Sequence, residues 1–472
     1  MATTQQHLDV LSALDTAFLL QEGPRAQMHL GGIAIFEGPP PSFEEVVEHI
    51  RGRLDRVPRY RQKVVFPPGG IGRPHWIDDP TFHIGYHVRH EALPSPGGDA
   101  ELRRVLARHF SHRLDRAKPL WEVIVVEGLR GDRFAVISKT HNAVVDGYAG
   151  VDIMSALFDL ERSPAPDPAG GPWVPRPEPS AAELAAATWS GGVRDALALP
   201  ARALTALAPS RVRRLVDGAG EATLAVLRPA PPSPLNVRIG PHRRAWLASV
   251  PLDDLKRVKN AFGGTVNDVV LAIVAGSLRR WLHARGLKTE GTELRAGVPV
   301  STRAASDEGA MGNRIAQLVA PMPVDLADPV ARLIAIQEAM RAAVGGRQAV
   351  GAESIAGAGD FAPPTILAQS GRQNFSTRPY NLRVTNIPGP QVPLYLLGRE
   401  LEQVYPISFL TGDRALAVAV MSYNGSANIG LIADYDHVAD LEVIADGLTE
   451  SLAELVTLAV RREKRGRPVK AR

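Results

Sequence analysis

Lys139-Thr-His-Asn-Ala-Val-Val-Asp-Gly147 carries an apolar strand pattern into a polar cluster. It closes the alternating run Asp132-Arg-Phe-Ala-Val-Ile-Ser-Lys-Thr140, a strand pattern, and leads into Tyr148-Ala-Gly-Val151, small residues that read as a helix start. Polar groups held between a strand end and a helix start are a common position for an active site. The residues themselves leave two accounts open. In one, Asp146 caps the helix and His141 is a satisfied, half-buried histidine; in the other, the cluster does chemistry.

Working outward, GGIAIFEG from Gly31 and WEVIVVEGL from Trp121 read as further strands, and Ser42-Phe-Glu-Glu45 opens a helix with a capping box. The pattern breaks at residues 161–180, where seven prolines in twenty residues forbid a continuous helix or a central strand. An Ala/Leu-rich stretch follows, Ala181 to Leu227. Its Leu184, Trp189, Val193 and Leu197 stand among Arg194, Arg202, Arg211, Arg213 and Arg214, which predicts amphipathic helix in two or three pieces. Beyond it RRAWLASVPL, LRAGVPV, NLRVTNIPG, LYLLG, ALAVAVMSY and NIGLIADYD read as strands. Both halves mix helix and strand without strict alternation, so two similar α+β layers are expected rather than a doubly wound sheet.

With 472 residues, 45% apolar and 22% charged, the chain exceeds one ordinary core and fits two. It has no cysteine, which excludes disulfides, thiolate metal sites and an acyl-cysteine intermediate. The start MATTQQHLDV lacks the pattern of a leader and no apolar run is long enough to span a bilayer, so a cytoplasmic location is the expectation. The last twelve residues, Arg461 to Arg472, carry seven Lys or Arg against Glu463. That tail holds six of positive charge out of a chain total of +4 and leaves the body at about −2. It reads as a solvated, frayed terminus, with no nucleic-acid partner. GxGxxG after a strand, the phosphate loop, HExxH and GxSxG are all missing, which removes nucleotide, zinc-protease and serine-hydrolase readings.

Four other segments carry candidate site residues. Thr265-Val-Asn-Asp268 is a capping box before VVLAIVAGSLRRWLHARG, so structure accounts for Asp268 and leaves Asn267 free to face a channel. In Pro119-Leu120-Trp121-Glu-Val123 a strand start with a core tryptophan is the stronger account. FHIGYHVRH places His83, His87 and His90 at tempting spacings, but its alternation reads as strand, with His83 and His87 on one face and His90 on the other, and no metal is assigned. Asn386-Ile-Pro-Gly-Pro390 is first a strand-ending turn.

His141, Asn142, Asp146 and Gly147 together resemble the HHxxxDG motif of the wax ester synthase and diacylglycerol acyltransferase family, itself similar to the chloramphenicol acetyltransferase fold. The resemblance extends over nearly the whole chain. It takes in LSALDTAFL at Leu11, MHLGGIAIFEG at Met28, PLWEV at Pro119, TVNDVVLA at Thr265, GVPVSTR at Gly297, GN at Gly312 and NIPGP at Asn386. It implies two chloramphenicol acetyltransferase-like domains, residues 1–165 and 231–460, joined by a linker at 166–230 and followed by a basic tail at 461–472. It also implies a site at the domain interface. The substrates implied are acyl-CoA and a diacylglycerol or long-chain alcohol, so no cofactor is needed. By the same likeness the motif's second histidine is a general base, Asp146 an orienting group, Gly147 a place for close backbone approach, and Pro119, Leu120, Trp121, Asn267, Asn386, Pro388 and Gly389 border the substrate channel.

The base position holds Asn142, and a carboxamide has no nitrogen that accepts a proton near neutral pH. His141 is a poor substitute, because neighbours on an extended strand face opposite ways. Three readings follow: an acyltransferase working without its usual base, a lipid- or CoA-binding pseudoenzyme at lipid droplets, or a deliberate His-to-Asn change that traps a complex. Docking on a membrane or droplet surface is expected of the Ala181–Leu227 stretch.

Overall fold

The computed structural model describes residues 8–70, 72–144, 157–165, 173–189, 229–301, 315–345 and 379–466. Among them are fifteen strands. The first half supplies β1 (Asp9–Val10), β2 (His29–Phe36), β3 (Gln62–Val65), β4 (His75–Asp78), β5 (Val88–Ala92), β6 (Trp121–Leu129) and β7 (Arg133–His141). The second supplies β8 (Arg243–Pro251), β9 (Leu294–Ser301), β10 (Ile315–Met322), β11 (Leu382–Ile387), β12 (Tyr395–Leu396), β13 (Arg399–Ile407), β14 (Leu416–Tyr423) and β15 (Ser426–Asp434).

They form two six-stranded sheets, ordered β12-β13-β2-β7-β6-β5 and β10-β9-β11-β14-β15-β8, and a small sheet β1-β4-β3. The alternating runs read from the sequence lie on these strands, and the mixed α+β architecture in two layers is as expected. One connection was not legible: β13 leaves the C-terminal half and pairs antiparallel with β2 of the N-terminal sheet. At the crossing the backbones are too close for side chains. A Cβ on Gly32 would lie 2.5 Å from the Tyr405 carbonyl oxygen, and one on Gly430 of β15 would lie 1.9 Å from that of Pro406.

Helices cover the sheets for reasons local to their sequences. In Asp99–Ser111 the apolar residues Leu102, Val105, Leu106 and Phe110 recur at helical spacing and are buried against the sheet. Helix Phe43–Arg53 starts at the expected Ser42/Glu45 capping box, and helix Val266–Ala284 at Thr265/Asp268, where the Asp268 carboxylate accepts from the Thr265 amide at 2.7 Å. Val266–Ala284 is buried over Asp268–Leu278 and packs against Leu441–Gly466. Close contact there is possible because Gly276 faces Ser451 and Gly447 faces Ser277, each leaving no room for a Cβ, and Ser277 Oγ donates to the Ile444 carbonyl at 2.5 Å.

Two local readings need correction. FHIGYHVRH is not one strand: Ile84–His87 is a single helical turn and the strand begins at Val88. Gly85 and the buried Ile84 and His87 fit the turn, and His87 is used up by donating from Nδ1 to the Trp121 carbonyl at 2.9 Å. The expected frayed tail is helical through Gly466, because Leu441–Gly466 continues past Arg461. Of the Ala181–Leu227 stretch only 181–189 is described, and it is helical; the rest lies outside the described residues. The preceding proline-rich segment is tied down at Arg176, which donates to both Asp78 carboxylate oxygens at 2.9 Å.

Candidate active site

The end of β7 is held from both sides. His141 donates its amide to the Leu120 carbonyl at 3.0 Å, and Asn142 donates to the Met28 carbonyl at 2.7 Å. The chain then turns, with the Val144 amide reaching back to the His141 carbonyl at 2.9 Å. The motifs around Met28 and Pro119 thus meet the 141–144 turn through main-chain bonds. Leu120 adds packing, since it shares an apolar cluster with Ala143.

His141 is fully buried. Its Nδ1 accepts from the Ala143 amide at 3.0 Å, which places the proton of the neutral ring on Nε2. Burial lowers its pKa to about 3 against the pull of Glu22, so the ring is neutral at physiological pH. Asn142, the first residue of the turn, is buried to 8% exposure. Asp146 and Gly147 lie outside the described residues.

Trp121 is a core side chain. It is 1% exposed, stacks on Tyr60 at 4.7 Å and on His87 at 4.6 Å, and donates from Nε1 to the Tyr60 carbonyl at 2.8 Å. Pro119 and Leu120 are buried beside it. From the other half, β11 carries Asn386 opposite Val420, and the next residue, Ile387, packs on the same apolar cluster as Trp121 and Val144. Pro388 is exposed. Gly389 donates to Ser422 Oγ at 3.2 Å, and a Cβ there would sit 2.2 Å from the Ser422 carbonyl oxygen. The structure therefore brings Pro119, Leu120, Trp121, His141 and Asn142 to one region. Asn267 is half-buried on the first turn of its helix, with Val266 and Val269 packed into the core.

Sequence reasoning missed a set of buried charges around this strand end. Glu22, at the C-terminus of helix Ala13–Gln21, places Oε1 3.2 Å from His29 Nε2 and 4.0 Å from His141 Nε2, while Arg116 donates to Oε2 from Nε at 2.8 Å. Lys139, 1% exposed, donates to the carbonyls of His109 and His112 and pairs with Glu122 at 3.2 Å. A polar cavity of about 680 Å³ opens next to them, lined by Glu22, Lys139, Glu122, Arg113, Leu114 and Arg116 among others. The one signal in the sequence was a lysine and a histidine two apart on a strand, both on the covered face.

Residues 11–270 match the family model for the wax ester synthase/diacylglycerol acyltransferase catalytic domain, and 311–456 match the model for the family's C-terminal domain. The chain is 34% identical over 459 residues to a Mycobacterium tuberculosis protein described as a probable diacylglycerol O-acyltransferase, covering 96% of this chain and 97% of that one. A Mycobacterium bovis relative described as a putative diacylglycerol O-acyltransferase matches to the same extent. This chain belongs to the wax ester synthase/diacylglycerol acyltransferase family. It is thus an acyltransferase by family, as the ordered motifs implied. The solved wax ester synthase/diacylglycerol acyltransferase of Marinobacter aquaeolei superposes with a TM-score of 0.68 at 27% identity, covering 96% of this chain and all of that one. The first condensation domain of the CDA synthetase superposes at 0.60 with 15% identity, a likeness of fold alone. Both domains of the wax ester synthase/diacylglycerol acyltransferase architecture are therefore present.

Proposed function

We propose that the chain transfers a long acyl group from acyl-CoA to the hydroxyl of a diacylglycerol, giving triacylglycerol, or of a fatty alcohol, giving a wax ester. The observation that carries this reading is the likeness to diacylglycerol O-acyltransferases over 96% of the chain, with the 141–144 turn held by two of the family's motifs. In the reaction the acceptor oxygen attacks the thioester carbonyl, a C–O bond replaces the C–S bond, and the acceptor's proton ends on the CoA sulfur. The Asn142 carboxamide cannot take that proton. Its N–H can donate to the oxyanion and its carbonyl can orient the hydroxyl, which leaves positioning and electrostatic stabilisation without base catalysis. His141 does not replace the base, because it is buried and its Nδ1 is committed to the Ala143 amide.

Asn142 also supports a second reading, a lipid- or CoA-binding protein whose transfer activity has been lost. Esterification assays with acyl-CoA and each acceptor class, run beside acyl-CoA binding by calorimetry, separate the two. Turnover with either acceptor establishes the enzyme; binding without turnover in this chain and in Asn142→His establishes the binding protein.

Peripheral association with a membrane or lipid-droplet surface belongs to the same proposal. Val174 and Trp189 are 76% and 79% exposed, and among the described residues no single helix is long and apolar enough to cross a bilayer. Vesicle flotation that is unchanged by Trp189→Ala, and by neutralising Arg202, Arg211, Arg213 and Arg214, would remove that element.

A further inference from the structure

Glu22 has no part in the chemistry above, yet burying a carboxylate is costly unless it is paired. Its side chain is 1% exposed and faces three groups from three parts of the chain: His29 on β2, His141 on β7, and Arg116 after helix Asp99–Ser111. Lys139 and Glu122 lie on the same side, along the wall of the cavity. Arg116 is the permanent cation. It reaches Oε2 from Nε and Nη2 at 2.8 and 2.7 Å and donates from Nη2 to the Leu19 carbonyl at 2.5 Å, so it fixes both the carboxylate and the end of its helix.

That leaves Oε1 buried and turned toward the two imidazoles, 3.2 Å from His29 Nε2. His141 Nε2 is likewise buried and unpartnered, 4.0 Å away. An oxygen facing Nε2 at that distance, carboxylate or amide, attracts a proton there and favours the tautomer with its proton on Nε2, which leaves Nδ1 free to receive the Ala143 amide. The Ala143 amide is the first peptide beyond Asn142, so the direction in which Asn142 leaves the strand depends on that bond. Burial pushes the Glu22 carboxyl up, but His29, His141 and Arg116 outweigh this and hold it at about 2, ionised throughout the physiological range.

We propose that Glu22, anchored by Arg116, is a positioning residue for acyl transfer: it selects the His141 tautomer that closes the 141–144 turn and so aims residue 142 at the substrates. The proposal rests on the acyltransferase reading, so its test has one arm that needs no activity. Ring-nitrogen NMR of ¹⁵N-histidine-labelled protein, with His141 assigned by His141→Gln, distinguishes the two tautomers. We expect a proton on Nε2 in the native chain and in Glu22→Gln, whose side-chain oxygen still faces Nε2, and loss of that preference in Glu22→Met, which has similar volume and no oxygen. Arg116→Gln, at a partly exposed position, frees the carboxylate and should shift the same signals less; it serves if Glu22→Met does not fold. In the Asn142→His background Glu22→Met should lower kcat more than ten-fold with KM for acyl-CoA unchanged, and Glu22→Gln should restore most of it. If the His141 signals are the same in all four proteins, or if Gln and Met reduce kcat equally, the proposal is overturned. If Asn142→His is inactive while the tautomer shifts as described, the acyltransferase reading fails and the assignment of Glu22 to the turn stands.

Discussion

The strand end at His141 and the helix Val266–Ala284 are both buried and both carry motifs of the family, but they are built on opposite principles. Around His141 the interior holds His29, Glu22, Lys139 and Glu122, each needing partners to offset its desolvation. Val269 to Ala275 of the helix is an unbroken apolar run, and its one acidic residue near the start, Asp268, is consumed by the cap. The difference teaches where polar burial is costly and still retained. In the helix, packing and capping account for every residue from Thr265 to Ala275 except Asn267. At the strand end, packing explains Trp121 and Leu120 but not the charges.

The largest effect that would sharpen this contrast is at residue 142. Asn142→His should raise esterification ~10² to 10⁴-fold, about 3 to 5 kcal/mol of barrier, with acyl-CoA affinity and melting temperature nearly unchanged. Initial rates with both acceptor classes and a binding titration check it; unchanged turnover would mean that the strand end is not the reacting centre. The opposite pattern is expected of Leu271→Ala in the helix, fully buried. It should cost about 2 to 5 kcal/mol of stability in denaturant unfolding while leaving kcat per folded molecule alone.

Acid should separate the two regions next. The unfolded chain protonates His141 near its ordinary value of 6.5, whereas the folded chain does so only at about 3. Between these values the unfolded state binds more protons, so stability present above pH 6.5 is lost as the pH falls toward 3. Glu22, depressed from 4.5 to about 2, adds to the loss in the lower part of that window. His141→Gln should therefore lose on the order of 3 kcal/mol less than the native chain between pH 7 and pH 4, measured by urea unfolding at each pH. Equal losses would show that the ring is not buried neutral. The smallest effect is at the cap: Thr265→Ala should cost ~1 kcal/mol, read as a shift in midpoint with unchanged slope.

Much of this was legible because the signals are local. Alternation exposed β2, β6, β7, β8, β14 and β15, and two capping boxes marked helix starts at Ser42 and Thr265. β13 escaped because Gln403, at the bulge after Leu401, and Pro406 spoil its alternation, and because the strand that completes its pattern, β2, is far away in the chain. The helical turn at Ile84–His87 escaped because four residues carry too little periodicity to outweigh an alternating apolar pattern. The site divides the same way. His141, Asn142 and the Pro119–Trp121 run stand in compact motifs, whereas Glu22 and Arg116 are 94 positions apart and acquire meaning only once folding sets them together.

The crossing of β13 into the N-terminal sheet has a consequence for how the molecule comes into being. Glu37 accepts from the amide of Glu400, 363 positions later, so during synthesis the open edge of β2 must wait while nearly the whole chain is made. An unpaired edge of eight residues, with Ile33, Ile35 and Phe36 beside it, is a template for pairing with another chain. The nascent protein therefore depends on whatever shields that edge on the ribosome, and a product released early would carry an aggregation-prone surface instead of a half-finished enzyme.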